Sequence, residues 1–134
     1  MPDKKTYKIL LLDDDRLLLN MYEKKFQAYG HEVASFLSSE EALTKMREGY
    51  NPDVVLIDVV MPPPDGIEVL RIIREEKLAE NASIIMLTNQ GASQDIEMAR
   101  SYGIDGYIVK AALIPSEVAV EVLKIAESRH QKTS

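Results

Sequence analysis

Asp53-Val54-Val55-Leu56-Ile57-Asp58-Val59-Val60-Met61-Pro62, continued by Pro63-Pro64-Asp65-Gly66, is the stretch on which the fold turns. Val54 to Ile57 is apolar at every position, the pattern of a short strand with helices covering both faces of its sheet. The run stops at a carboxylate, Asp58. Prolines fix φ and lack an amide donor, so 61–64 can neither prolong the strand nor begin a helix, and a stiff loop follows. Asp65 with Glu68 can cap the next helix, whose Ile67, Leu70 and Ile73 recur at helical spacing and which is expected to fade near Glu80-Asn81.

The same strand-then-helix unit repeats on either side. Tyr7 to Leu12 reads as a buried strand, followed by Asp13-Asp14-Asp15 and a helix with Leu18, Tyr22, Phe26 and Tyr29 near one face, which Gly30 closes. Glu32 to Phe36 is a weaker strand, and the Ser38…Glu41 spacing opens a helix through Met46 to Gly49. Ser83 to Leu87 is the fourth strand, followed by a helix from about Ser93 to Tyr102 ended by Gly103. Gly106 to Val109 is the fifth, and the last helix starts at Pro115 and runs to about Ser128. Val118, Val120, Val122, Leu123 and Ile125 make that helix apolar on more than one side, a pattern that favours a partner surface over deeper burial. Parallel neighbours require right-handed crossovers, so this alternation predicts a doubly wound α/β fold: a flavodoxin-like five-stranded parallel sheet, order 2-1-3-4-5, with five helices.

Bulk properties fit one domain. The chain has 134 residues, 46% apolar and 28% charged, an ordinary soluble composition. We expect a domain over 7–128, an amino-terminal tail over 1–6, and a frayed tail or the start of a linker over 129–134. No run approaches the roughly 18 apolar residues that cross a bilayer, and Met1-Pro2-Asp3-Lys4-Lys5 lacks the apolar stretch of a secretion signal, so a cytoplasmic protein is the simplest reading. There are no cysteines, which excludes disulfides, thiolate metal sites and thiol catalysis. The net charge of -6 and the lack of a basic cluster argue against direct binding of nucleic acid or an anionic membrane.

In such a sheet the strands end at one rim, where ligands bind. Asp13, Asp14, Asp58, Thr88 and Lys110 all follow or end apolar runs and so converge there. Each has an ordinary alternative. The acidic triplet suits a helix amino end, aspartate often begins a turn, and Thr88 and Lys110 are unremarkable as a turn hydroxyl and a surface lysine. Together they supply what carboxylate phosphorylation needs. Asp58 is the candidate nucleophile, and Asp13 and Asp14 hold magnesium directly or through water, with the Val60 backbone carbonyl completing the protein ligands. Thr88 and Lys110 bind the phosphoryl oxygens.

With Ile9-Leu10-Leu11-Leu12-Asp13-Asp14-Asp15, the Asp53 to Pro62 stretch, Asp65-Gly66, Met86-Leu87-Thr88 and Gly106-Tyr107-Ile108-Val109-Lys110 in place, the chain resembles the receiver domain of bacterial two-component response regulators over about Lys8 to Ile125. The resemblance implies a signalling phosphoacceptor rather than an enzyme. Asp58 takes a phosphoryl group, with magnesium, from the phosphohistidine of a histidine kinase or a histidine phosphotransfer protein, and slow hydrolysis follows. It further implies a switch in which Thr88 moves inward and Tyr107 follows. The surface of the fourth helix, fifth strand and fifth helix then changes affinity for a downstream protein, an attached output domain or a second copy. Neither His31 nor His130 fits a donor role.

The chain departs from the family pattern after Lys110 and after Thr88. Ala111 stands where most relatives carry a cis proline, and a non-proline cis bond costs roughly 2.5 to 4 kcal/mol, so the Lys110-Ala111 bond is open between cis and trans and the reach of Lys110 with it. Asn89 follows Thr88 where a smaller residue is usual. Val60 and Gln90 occupy positions that tune dephosphorylation in the family, and an apolar Val60 predicts a long-lived phosphoform. Three other functions compete with this one. A small magnesium-dependent phosphohydrolase could use the Asp13/Asp15 spacing but leaves Asp58 unexplained. A flavin carrier would find its phosphate repelled by the acidic triplet. A non-phosphorylated adaptor with a vestigial pocket is the stronger rival.

Overall fold

The computed structural model describes residues 6–88 and 93–132. Five strands, β1 (Lys8–Leu12), β2 (Glu32–Phe36), β3 (Val54–Asp58), β4 (Ser83–Thr88) and β5 (Gly106–Val109), alternate with five helices, α1 (Arg16–Ala28), α2 (Ser39–Arg47), α3 (Gly66–Glu75), α4 (Ser93–Ser101) and α5 (Pro115–Lys132). All strand pairs are parallel and the sheet order is β2-β1-β3-β4-β5, as expected. Strands β3 and β4 are buried along their whole length, which is why their sequences show no polar alternation.

Successive strand residues point to opposite faces, so the sheet divides the core in two. Leu10, Leu12, Val55, Ile57, Ile84 and Met86 pack with Leu43, Leu70 and Ile73 under α2 and α3. Ile9, Leu11, Leu56, Ile85, Leu87 and Ile108 pack with Tyr22, Phe26, Val118 and Val122 under α1 and α5.

Most of the apolar set in α5 therefore belongs to the core, contrary to the expected partner surface. Val118 and Val122 are fully buried, Leu123 and Ile125 half-buried, and Val120 alone of the five is exposed. The reason is that α1 and α5 lie side by side over one sheet face, and Gly106 lets Ile125 settle on β5, where a Cβ would stand 2.7 Å from its Cδ1.

Local chemistry sets most helix starts. Asp15, Ser38 and Asp65 accept from the amides of Leu18, Glu41 and Glu68. The end of α3 differs from expectation: the helix stops at Glu75, not near Glu80. Lys77 and Ala79 take positive φ (57° and 47°), and the Leu78 amide returns to the Ile73 carbonyl. The turn folds Leu78 and Ala79 back onto the core below α3, and that burial outweighs the backbone strain. Helix α5 continues past Ser128 to Lys132. Its Arg129 pairs with Asp105 at 3.0 Å, fastening the helix to the start of β5.

Candidate functional site: an acidic pocket at the sheet rim

Strands β1 and β3 are adjacent and in register from Ile9↔Val54 to Leu12↔Ile57, so Asp13, Asp14 and Asp58 emerge side by side at their carboxyl ends. One carboxylate oxygen from each lies within 4.8 Å of the others. Asp13 and Asp58 are buried, whereas Asp14 is exposed, so the cluster opens to solvent on one side.

Lys110 reaches the pocket from the end of β5. Its Nζ donates to Asp13 Oδ2 (3.0 Å) and to Asp58 Oδ2 (3.1 Å). Its route differs from the familiar cis-proline one. The sole cis peptide among the described residues is Pro63-Pro64, so Lys110-Ala111 is trans, and a single 3-10 turn over Lys110–Ala112 carries the chain away toward α5. Lys110 arrives all the same, because β5 pairs with β4 up to Thr88↔Val109 and delivers the next residue to the rim.

The remaining carboxylate oxygens are anchored by backbone. Asp13 Oδ1 accepts from the Asp15 amide (2.9 Å), and Asp58 Oδ1 accepts from the Val60 amide (3.2 Å). That second bond turns the chain sharply after β3, and Gly66 is pressed against the turn. A Cβ there would overlap the Asp58 carbonyl oxygen and stand 2.8 Å from the Val59 Cα, so no larger residue fits. The Val60 side chain is 56% exposed. Thr88 ends β4 with its hydroxyl buried and, among the described residues, without a hydrogen-bond partner.

Burial pushes the Asp58 carboxyl up to about 6, and the Asp13 charge adds to the rise, while the Lys110 ammonium and the Val60 amide oppose it. Burial alone would lower Lys110, but its hydrogen bond to Asp13 and the charges of Asp13 and Asp58 outweigh this and hold the ammonium above its ordinary value. Three carboxylates face one ammonium, leaving a formal -2 when all are ionised. An all-oxygen cluster with that deficit and one open side fits a small divalent cation that keeps some of its waters. Asp15, the acid-base carboxylate that a phosphohydrolase would require, caps α1, its Oδ1 accepting from the Leu18 amide at 3.1 Å.

In the sequence Tyr22 shows only as part of the apolar face of α1. It is buried seven residues along α1 from Asp15, close enough to the pocket for its hydroxyl to be affected by its charges: burial raises it, Lys110 opposes, and Asp13 and Asp58 add to the rise. The i, i+7 spacing from the cap was the available signal. Asn89 and Gln90 lie outside the described residues.

The family model of the response regulator receiver domain matches residues 9–119. The chain belongs to the response regulator receiver family. That family consists of signalling phosphoacceptors rather than conventional enzymes, and its members partner with histidine kinases and output domains. Among curated relatives, this receiver is 34% identical over 118 residues to the alkaline phosphatase synthesis transcriptional regulatory protein PhoP of Bacillus subtilis, covering 88% of the chain and 48% of PhoP. It is 35% identical over 102 residues to the transcriptional regulatory protein AfsQ1 of Streptomyces coelicolor, covering 76% and 44%. The chain thus spans less than half the length of these two relatives.

Among solved structures, the BeF3-activated receiver domain of DrrB, a Thermotoga maritima protein, superposes with a TM-score of 0.76 at 28% identity, covering 92% of this chain and 99% of that one. The chemotaxis protein CheY4 of Vibrio cholerae superposes with a TM-score of 0.80 at 26% identity, covering 90% and 99%. The receiver has the acidic pocket of Asp13, Asp14 and Asp58 with Lys110, and its triad is consistent with a metal site. No helix among the described residues is long and apolar enough to cross a membrane.

Proposed function

We propose that this receiver accepts a phosphoryl group on Asp58 from the phosphohistidine of a histidine kinase or a histidine phosphotransfer protein, in the cytoplasm. The observation that carries the reading is the ammonium of Lys110, 3.0 Å from Asp13 and 3.1 Å from Asp58, beside a carboxylate cluster otherwise uncompensated among the described residues. An Asp58 Oδ atom attacks phosphorus; the bond from phosphorus to the donor imidazole nitrogen breaks, and the electron pair leaves with the imidazole, which takes up a proton. An Asp58 that titrates near 6 is mostly ionised at neutral pH and can act as the nucleophile.

Magnesium is the cation we assign to the pocket, held by Asp13, Asp14, Asp58 and the Val60 backbone carbonyl. When bound it supplies positive charge that offsets the carboxylates and the incoming phosphate. Lys110 then turns from balancing two carboxylates to binding a phosphoryl oxygen, and the Thr88 hydroxyl binds another. An unpartnered buried hydroxyl costs stability until it finds an acceptor, so Thr88 is poised to move toward phosphate. Tyr107, on the same sheet face, follows. The readout is a population shift at the surface of α4, β5 and α5, sensed by a downstream protein, an attached output domain or a second copy of the chain. The receiver unit is taken as 7–128, with α5 carried beyond it to Lys132 and held by the Arg129–Asp105 pair.

Incubation with magnesium and a small phosphodonor, followed by intact-mass measurement, tests this. The native chain should gain one phosphoryl group and Asp58→Asn none. Equal labelling of both removes Asp58 from its role, and a native chain that neither labels nor binds magnesium is a vestigial adaptor.

A further inference from the structure

Tyr107 lies on β5 with its side chain 40% exposed. Register pairs it with Met86, and Val109 with Thr88. Register partners in a parallel sheet project to the same face, so Tyr107 and Thr88 share the face that Met86 and Ala99 of α4 occupy. On that face the Arg100 guanidinium, in the last turn of α4, stands over the Tyr107 ring at 5.3 Å from its centroid. Among the described residues the Arg100 guanidinium forms no salt bridge or hydrogen bond that would hold it elsewhere.

We infer that Arg100 is a positioning residue that clamps Tyr107 in its exposed orientation and so sets how readily the resting protein enters the phosphate-stabilised state. The inference rests on the proposed switch. A cation over an aromatic face favours the ring position that preserves the contact. If Tyr107 must leave the surface when Thr88 moves inward, that contact is lost, and its worth is subtracted from the stabilisation phosphate provides. Coupling of this kind is reciprocal: what holds Tyr107 outward weakens phosphate binding by the same factor. An exposed cation–π contact commands a population change of about two- to five-fold.

The test uses beryllofluoride with magnesium as the phosphate mimic on the native chain, Arg100→Gln, Arg100→Ala, Arg100→Lys and Asp58→Asn, together with the Tyr107 ring resonances by NMR. Arg100→Gln and Arg100→Ala should bind the mimic about two- to five-fold more tightly, with Arg100→Lys between them and the native chain. In mimic-free Arg100→Gln the Tyr107 ring resonances should move toward their positions in the mimic-bound native chain, an effect that a merely structural role for Arg100 would not produce. Unchanged or weaker binding in Gln and Ala, in a native chain that binds while Asp58→Asn does not, overturns the clamp and leaves the phosphoacceptor reading standing. Equal binding by native and Asp58→Asn chains overturns that reading instead. Mimic-free Tyr107 resonances identical in native and Gln chains also overturn the clamp.

Discussion

Replacing Asp58 by Asn should stabilise the metal-free protein at neutral pH, even though it removes the residue proposed to carry the chemistry. Asp58 is 3% exposed, beside the charge of Asp13, and titrates near 6 rather than at its ordinary 3.8. Between about pH 4 and 6 the folded protein keeps a proton that the unfolded chain has lost. Stability therefore falls as pH rises through that window, and the penalty is complete above it. At about 1.36 kcal/mol per pH unit, the rise sets a ceiling of about 3 kcal/mol. Asn also weakens the contact with Lys110, which keeps Asp13 as partner at 3.0 Å, so we expect a net gain below that ceiling, about 1 to 2 kcal/mol. Urea unfolding of both proteins in chelator, at about pH 7.5 and about pH 4, checks this. The Asn chain should be the more stable at the higher pH, and the gap should close at the lower. An Asn chain less stable than the native one at about pH 7.5, or a gap independent of pH, refutes the electrostatic argument.

Thr88→Val removes a buried hydroxyl that lacks a partner among the described residues, so the resting protein should be unchanged or stabilised by up to about 2 kcal/mol in urea unfolding, while affinity for a phosphate mimic drops. Gly66→Ala drives a methyl into the Asp58 carbonyl and should cost about 1 to 3 kcal/mol or more, with a matching loss of phosphorylation rate as the end of β3 carrying Asp58 shifts. Val60 presents an exposed apolar side chain beside Asp58 and offers no hydrogen bond to an attacking water, so the phosphoform should outlive one carrying Val60→Glu; a native phosphate half-life of seconds contradicts this.

The β-α alternation and the strand order were readable because a doubly covered parallel sheet demands uninterrupted apolar runs, and Val54 to Ile57 and Ser83 to Leu87 have nothing else to be. The rim residues were readable for a related reason: each run ends abruptly at a group that does not belong in a core. What escaped depends on three-dimensional packing. The left-handed turn at Lys77 and Ala79 has no glycine to announce it and exists because Leu78 and Ala79 are drawn onto the core. The valines of α5 looked like a partner surface because periodicity cannot show that α1 and Gly106 leave room to bury them. Lys110 reaches Asp58 through a trans peptide because the β4–β5 register, invisible in composition, places it there.

Locating the phosphoryl group decides whether Asp58 is the acceptor. After exposure to a phosphohistidine donor and magnesium, borohydride reduces an aspartyl phosphate to homoserine, which peptide sequencing by mass spectrometry can place. Homoserine is expected at position 58 alone, and only when donor and magnesium are both present. Homoserine at position 13 or 14, or none in a protein that has bound magnesium, would contradict this expectation.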